Sequence, residues 1–269
     1  MKRIICLLLT LIMVVSVFAS CNQTPDADEN TTDADVTTEA EGTTEAEVTT
    51  EPVPEDDGIT SVMIFGDSYS TFEGYIPATY KSWYTKIGRE GTDVKNVEET
   101  WWYQLCEQMD YNLVVNDSYS GSTIGYTGYN GADTSNSTSF IHRLENYEKQ
   151  KFFEENEIDI IFVFGGTNDS WANAPLGEFK TEGITKNDLY NVLPAVCYFI
   201  GELKRLEPNA EIVFILNTDL KPEIGDAAKK TAEHYGTKCI ELTTFQKRSS
   251  HPSVKGMASI ASQVRKAMS

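Results

Sequence analysis

The chain has 269 residues, and its 41 acidic side chains against 22 basic ones give a formal net charge of −19. A balance this acidic excludes the basic footprint that nucleic-acid binding requires. With 40% hydrophobic residues the chain has the material for a packed core, but its one long apolar run, Ile4 to Phe18, is short for a bilayer span of roughly 20 residues.

In chain order, Met1-Lys2-Arg3 supplies a positive start, Ile4 to Phe18 an apolar segment, and Phe18-Ala19-Ser20-Cys21 a small-residue cleavage site ending in cysteine. The pattern is that of a bacterial lipoprotein signal: residues 1–20 are removed and Cys21 takes a thioether lipid. Residues 21–57 then repeat Thr-Thr-Glu-Ala-Glu-like units. Residues 22–57 hold 13 of the acidic residues and no Lys, Arg or aromatic residue, a composition that cannot offset the entropy of ordering. They are expected to be a disordered, solvated tether, which places the protein outside the cytoplasm and makes a lipid anchor its membrane partner.

Residues 58–269 suffice for one domain. Short β-branched or aromatic runs predict strands at 61–65, 112–115, 159–164, 211–217 and 238–242. Helical spacing predicts helices at 100–109, 187–206, 223–235 and 252–268, the last with Pro252 in its first turn and His251 at the N-cap. Alternation of strand and helix implies a parallel sheet with helices on both faces and ligands at the strands' carboxyl ends. Ser68, Gly121, Asn168 and His251 are all expected on loops there. Cys106, Cys197 and Cys239 match no metal spacing and are expected as buried thiols.

Ser68 stands in Gly66-Asp67-Ser68-Tyr69 after the first strand, Gly165-Gly166-Thr167-Asn168-Asp169 follows the third, and His251-Pro252 lies near the C-terminus. A serine hydroxyl needs an imidazole to take its proton, and a glycine loop with a carboxamide can supply N–H donors to an oxyanion without a metal. His251 fits that role by context; His142 and His234 lie in polar or helical stretches. Asp169 fits a loop-capping carboxylate. Three scattered histidines provide no metal-ligand pair, and no cofactor motif is present.

These blocks, with Asn116-Asp117-Ser118-Tyr119-Ser120-Gly121-Ser122 between them, resemble in order those of the SGNH or GDSL-type hydrolases. The resemblance implies a flavodoxin-like three-layer α/β/α fold with about five parallel strands. It also implies an esterase acting through Ser68 and His251, with an oxyanion hole from the amides of Ser68 and Gly121 and the side chain of Asn168. Asp67 and Asp169 are expected to support the site. One position departs. The family places Asp three residues before the histidine, and here Arg248 stands there, whose side chain has no acceptor. The backbone carbonyl of Arg248 is the expected substitute for orienting the ring, with Glu241 or an impaired, carbohydrate-binding descendant as alternatives. Without a carboxylate the ring is expected to titrate near about 6.5.

Trp83, Trp102 and Trp171 lie near these blocks in sequence, where exposed rings would stack on sugar faces. The expected substrate is therefore a small acyl group, acetyl foremost, on carbohydrate. A lysophospholipase- or thioesterase-type acylhydrolase is the alternative.

Overall fold

Strand β1 (Thr60–Gly66) leads, and its side chains alternate between two cores: Val62 and Ile64 pack into one, Met63 and Phe65 into the other. Such two-sided burial marks a strand inside a covered parallel sheet. A computed structural model describes residues 58–269; the signal segment expected at 1–20, the lipidation expected at Cys21 and the tether expected over 21–57 lie outside the described residues.

The chain continues through α1 (Trp101–Met109), β2 (Tyr111–Ser118), α2 (Phe140–Lys149), the short α3 (Phe152–Glu155) and β3 (Ile160–Phe164). It then forms a one-turn α4 (Thr167–Trp171), α5 (Val192–Leu206), β4 (Glu211–Leu216), α6 (Pro222–Tyr235) and β5 (Lys238–Glu241). A two-residue pair, β6 (Lys247–Arg248) and β7 (His251–Pro252), precedes α7 (Val254–Met268). The five long strands are all parallel in the order β2-β1-β3-β4-β5. Side chains of α2, α5 and α6 fill the core on one face, and those of α1 and α7 the core on the other. This is the three-layer α/β/α fold of flavodoxin-like topology.

That order has a consequence for function. From β1 the chain steps outward to β2 and then returns to the other side as β3, so the topological switch point lies between β1 and β3, where ligands bind beyond the carboxyl ends. Ser68 follows β1 and Asn168 follows β3.

Every expected strand is present; the largest change is in β2, which runs on to Ser118. The helices differ more. The expected helix at 187 starts at Val192, because residues 188–190 form a separate turn; Pro194 then falls in the first turn, where no intrahelical N–H is lost. His251 is not an N-cap. Ser253 caps α7, its hydroxyl accepting from the Gly256 N–H at 3.2 Å, and His251-Pro252 pair with Lys247-Arg248. Helix α2 was not foreseen because Arg143, which looks polar in sequence, is buried among its apolar positions. Asn168 lies in α4, not on a loop.

Candidate active site

Gly66 ends β1 where it crowds β2: a Cβ there would collide with the Ser118 and Ser70 side chains. The chain then turns sharply. The Asp67 N–H donates to the Phe164 carbonyl at 3.3 Å, tying the exits of β1 and β3, and Asp67 Oδ1 accepts from the Tyr69 N–H at 2.9 Å. Ser68 sits on this turn, 2% exposed. Its hydroxyl lies 2.9 Å from Nε2 of His251, which comes from the far end of the chain.

The other ring nitrogen decides the tautomer. Nδ1 of His251 lies 3.0 Å from the carbonyl oxygen of Ser249, and a carbonyl only accepts, so Nδ1 carries the proton and Nε2 presents its lone pair to Ser68. The orienting carbonyl is therefore that of Ser249, not of Arg248 as the sequence suggested. The reason is the turn between β6 and β7: Ser249 and Ser250 both have positive φ, 45° and 64°, the arrangement of a tight two-residue hairpin. It folds the Ser249 carbonyl back under the ring two residues on. Tyr69 locks the turn by donating to the Ser250 carbonyl at 2.6 Å, and Tyr84 donates to that of Pro252 at 2.8 Å. The Arg248 side chain points instead to Asp93 at 3.3 Å, and Glu241 is engaged with Lys229 at 2.7 Å, so neither orients the ring.

Trp83 stacks flat on the His251 imidazole, and Arg89 covers the outer face of the indole. Burial, together with the positive charges of Arg89 and Lys247, pulls the His251 pKa down to about 4 against the raising effect of the Ser249 carbonyl. This corrects the expectation of an unperturbed ring.

The donor side is built from the turn after β1, the glycine loop after β2 and the short helix α4. Gly121 has φ +91 with open space where a Cβ would lie, and among the described residues neither its N–H nor that of Ser68 donates a hydrogen bond. Asn168 Nδ2 donates to the Ser122 carbonyl at 2.9 Å, and its Oδ1 accepts from the Tyr129 hydroxyl at 2.8 Å. Asp169, wholly buried, accepts from the N–H groups of Ile124 at 3.1 and 3.0 Å and Gly125 at 3.4 Å, and so ties the glycine loop to α4. Burial lifts its pKa to about 6 and that of Asp67 to about 7; among the described residues Asp67 Oδ2 has no hydrogen-bond partner.

Arg143 stitches these parts together from beneath. Fully buried, it pairs with Asp117 and donates to the Gly66 carbonyl at 3.2 Å and the Ser122 hydroxyl at 3.4 Å, joining the ends of β1 and β2 to the glycine loop. Its role had no sequence signal beyond a cation at a helical core position. Tyr129, Tyr69, Arg89 and Ser249 were likewise missed; only Asn130-Gly131, a tight-turn dipeptide, marked the Tyr129 loop.

The three tryptophans separate. Trp171 is 37% exposed, with its ring 5.8 Å from that of His251. Trp102 is a core residue, its indole N–H donating to the Ser70 carbonyl at 2.8 Å, so it is not available to a ligand. Trp83 has both faces covered by His251 and Arg89, which leaves no face for a sugar. Among the described residues no cluster of three His, Cys, Asp or Glu side chains is placed to hold a metal.

The sequence also matches, over residues 60–268, the family model described as GDSL-like lipase/acylhydrolase. The chain belongs to that family. Crystal structures of proteins described as GDSL-like lipases from Bacteroides ovatus and Bacteroides uniformis are each 45% identical with a TM-score of 0.72. Each covers 78% of this chain, and the match spans 98% and 96% of the respective relatives. An acetyl xylan esterase from Butyrivibrio proteoclasticus is 19% identical over 81% of this chain and 64% of its own, with a TM-score of 0.51, a likeness of fold alone. No curated protein matches the chain. The GDSL-like chain is accordingly a hydrolase of the ester-cleaving kind.

Proposed function

We propose that this hydrolase is a serine esterase removing small O-acyl groups, acetyl foremost, from carbohydrate through an acyl-enzyme. The observation that carries the reading is the 2.9 Å hydrogen bond between Ser68 Oγ and His251 Nε2, in the tautomer that the Ser249 carbonyl enforces. Ser68 attacks the ester carbonyl as Nε2 takes its proton, and the negative charge that develops on the carbonyl oxygen meets the N–H groups of Ser68, Gly121 and Asn168. His251 returns the proton to the leaving alcohol; water then enters by the same route and frees the acyl group as a carboxylic acid. Among the described residues the imidazolium has no carboxylate partner. Its charge is held by the Ser249 carbonyl and the nearby oxyanion.

Substrate class is supported by what lies open beside the dyad. The exposed large apolar residues of the described domain are Ile59, Tyr75, Ile87, Tyr129 and Trp171. The two tied to site residues, Tyr129 and Trp171, are aromatic, suited to a sugar face more than to an alkyl chain. A lipid anchor at Cys21, with residues 22–57 as its tether, would hold the domain outside the cytoplasm, facing such glycans.

A fluorophosphonate probe tests the mechanism: it should label Ser68 in the wild-type protein and not in Ser68→Ala. Acetate release from acetylated glycans, measured beside acyl esters of rising chain length, tests the substrate. A preference for chains beyond about eight carbons, each buried methylene adding about 0.8 kcal/mol, with no glycan activity would replace this reading by a lipase-like one.

A further inference from the structure

We propose that Tyr129 is a positioning residue of the oxyanion hole, holding the Asn168 carboxamide so that one of its N–H bonds is left for the substrate's developing oxyanion. The inference rests on the esterase reading above.

Three hydrogen-bonding sites of the Asn168 amide must be accounted for. The Ser122 carbonyl can only accept, so the atom facing it at 2.9 Å is Nδ2. Oδ1 therefore faces Tyr129, and at 2.8 Å the phenol must be the donor. Two ties on opposite ends of the amide prevent rotation about its last side-chain torsion, which is otherwise broad. They leave the second Nδ2–H with no acceptor among the described residues. Accepting a hydrogen bond at Oδ1 also polarises the amide and makes that free N–H a stronger donor.

The phenol is itself held in place. Residues 127–133 form a tight loop closed by the Thr127–Asp133 bridge, with Gly128 N–H donating to the Ala132 carbonyl at 2.8 Å. Asn130 and Gly131 at its tip take positive φ of 58° and 72°. The loop is pinned from outside: Thr127 donates to the Tyr190 carbonyl at 2.7 Å, and the Tyr190 hydroxyl donates to Asp133 at 3.0 Å. Tyr129 is 40% exposed and is absent from both hydrophobic cores. Its one side-chain hydrogen bond among the described residues goes to the buried Asn168 amide.

The test is a double-mutant cycle on 4-nitrophenyl acetate, with fluorophosphonate labelling of Ser68 confirming an active wild-type protein. Tyr129→Phe should lower kcat about 3- to 10-fold, the worth of one neutral hydrogen bond, with KM within about two-fold and Tm unchanged. Asn168→Ala should lower kcat about 100- to 1,000-fold. Adding Tyr129→Phe to Asn168→Ala should then change nothing further, because the phenol acts through the amide. A Tyr129→Phe kcat equal to wild type would overturn the inference. So would a Tyr129→Phe effect that persists without Asn168, since the phenol would then act on the substrate itself. A wild-type protein that neither takes the probe at Ser68 nor cleaves the ester would instead sink the esterase reading, and this inference with it.

Discussion

The Trp83 indole lies flat on the imidazole of His251, with ring centroids 3.5 Å apart and planes 5° from parallel, and the Arg89 guanidinium covers its other face 3.8 Å from the ring centroid. Packing thus fixes the plane of the ring, and the Ser249 carbonyl fixes its rotation. Together they replace the orienting role of the aspartate that Arg248 displaces.

On the proposed mechanism, this environment should set the acid limit of activity. With His251 drawn down to about 4 by burial and by Arg89 and Lys247, the ring stays neutral, and so competent as a base, well below the usual histidine range. The acid limb of kcat/KM should fall near 4 to 5. Trp83→Ala, which admits water to the ring, should move it up toward about 6.5 and lower kcat; Arg89→Ala should move it in the same direction by less. A wild-type limb near 6.5 would contradict this account of the stack.

Asp67 should make the fold less stable at neutral pH than in mild acid. Burial holds its folded pKa at about 7, well above the ordinary aspartate value of 3.8, so the folded state binds more protons between those limits and stability falls as pH rises through them. His251 acts oppositely, since its folded pKa is lowered: its contribution is lost as pH falls from about 6.5 toward 4. Asp67→Asn keeps an acceptor for the Tyr69 N–H and removes the buried charge, so it should raise stability by about 1–3 kcal/mol at pH 8. Thermal melts at pH 5 and 8 should show the gain shrinking at the lower pH.

The hairpin turn stores strain in the service of the site. Ser249 and Ser250 both occupy the left-handed region, which costs an ordinary residue about 1–2 kcal/mol. Ser250→Gly should therefore stabilise the protein while leaving activity intact, because the carbonyl that Tyr69 binds is retained. Ser250→Pro, whose ring cannot take positive φ, should abolish activity. Denaturant midpoints beside kcat/KM would separate the two outcomes.

Around the dyad the side chains divide by role. Ser68→Ala should abolish turnover of an activated acetyl ester, whereas Arg248→Ala and Glu241→Gln should leave most of it, since neither side chain reaches His251. Steady-state kinetics on the three purified proteins checks this; a large loss in Glu241→Gln would reveal a carboxylate acting through a rearranged state.

Trp171→Ala should erode activity on acetylated oligosaccharides more than on a simple acetyl ester, because only the glycan can use the exposed ring as remote binding surface. Parallel kcat/KM values on the two substrates make the comparison. Equal losses would show that Trp171 instead supports the His251 ring.

Much of this architecture is local in origin and so could be read along the chain. The strands follow from short β-branched runs such as Ile160-Ile161-Phe162-Val163-Phe164, and burial on both faces of the sheet follows from their continuous hydrophobicity. Ser68, Asn168 and His251 were marked by motif chemistry and by order. Their neighbours were not, because their roles arise from contacts between segments distant in sequence. Trp83 and Trp171 look alike in the sequence, yet one is sandwiched beneath the histidine and the other is left open. Arg143 has the composition of a surface residue and becomes the buried tie under the glycine loop. The carbonyl that orients His251 carries no side-chain signature at all; its direction is set by two positive φ angles in a turn that exists only because β6 pairs with β7. Local propensity and hydrophobic period determine elements and layers, whereas the direction of a carbonyl, the face of a ring and the partner of a buried charge are settled by packing across the fold.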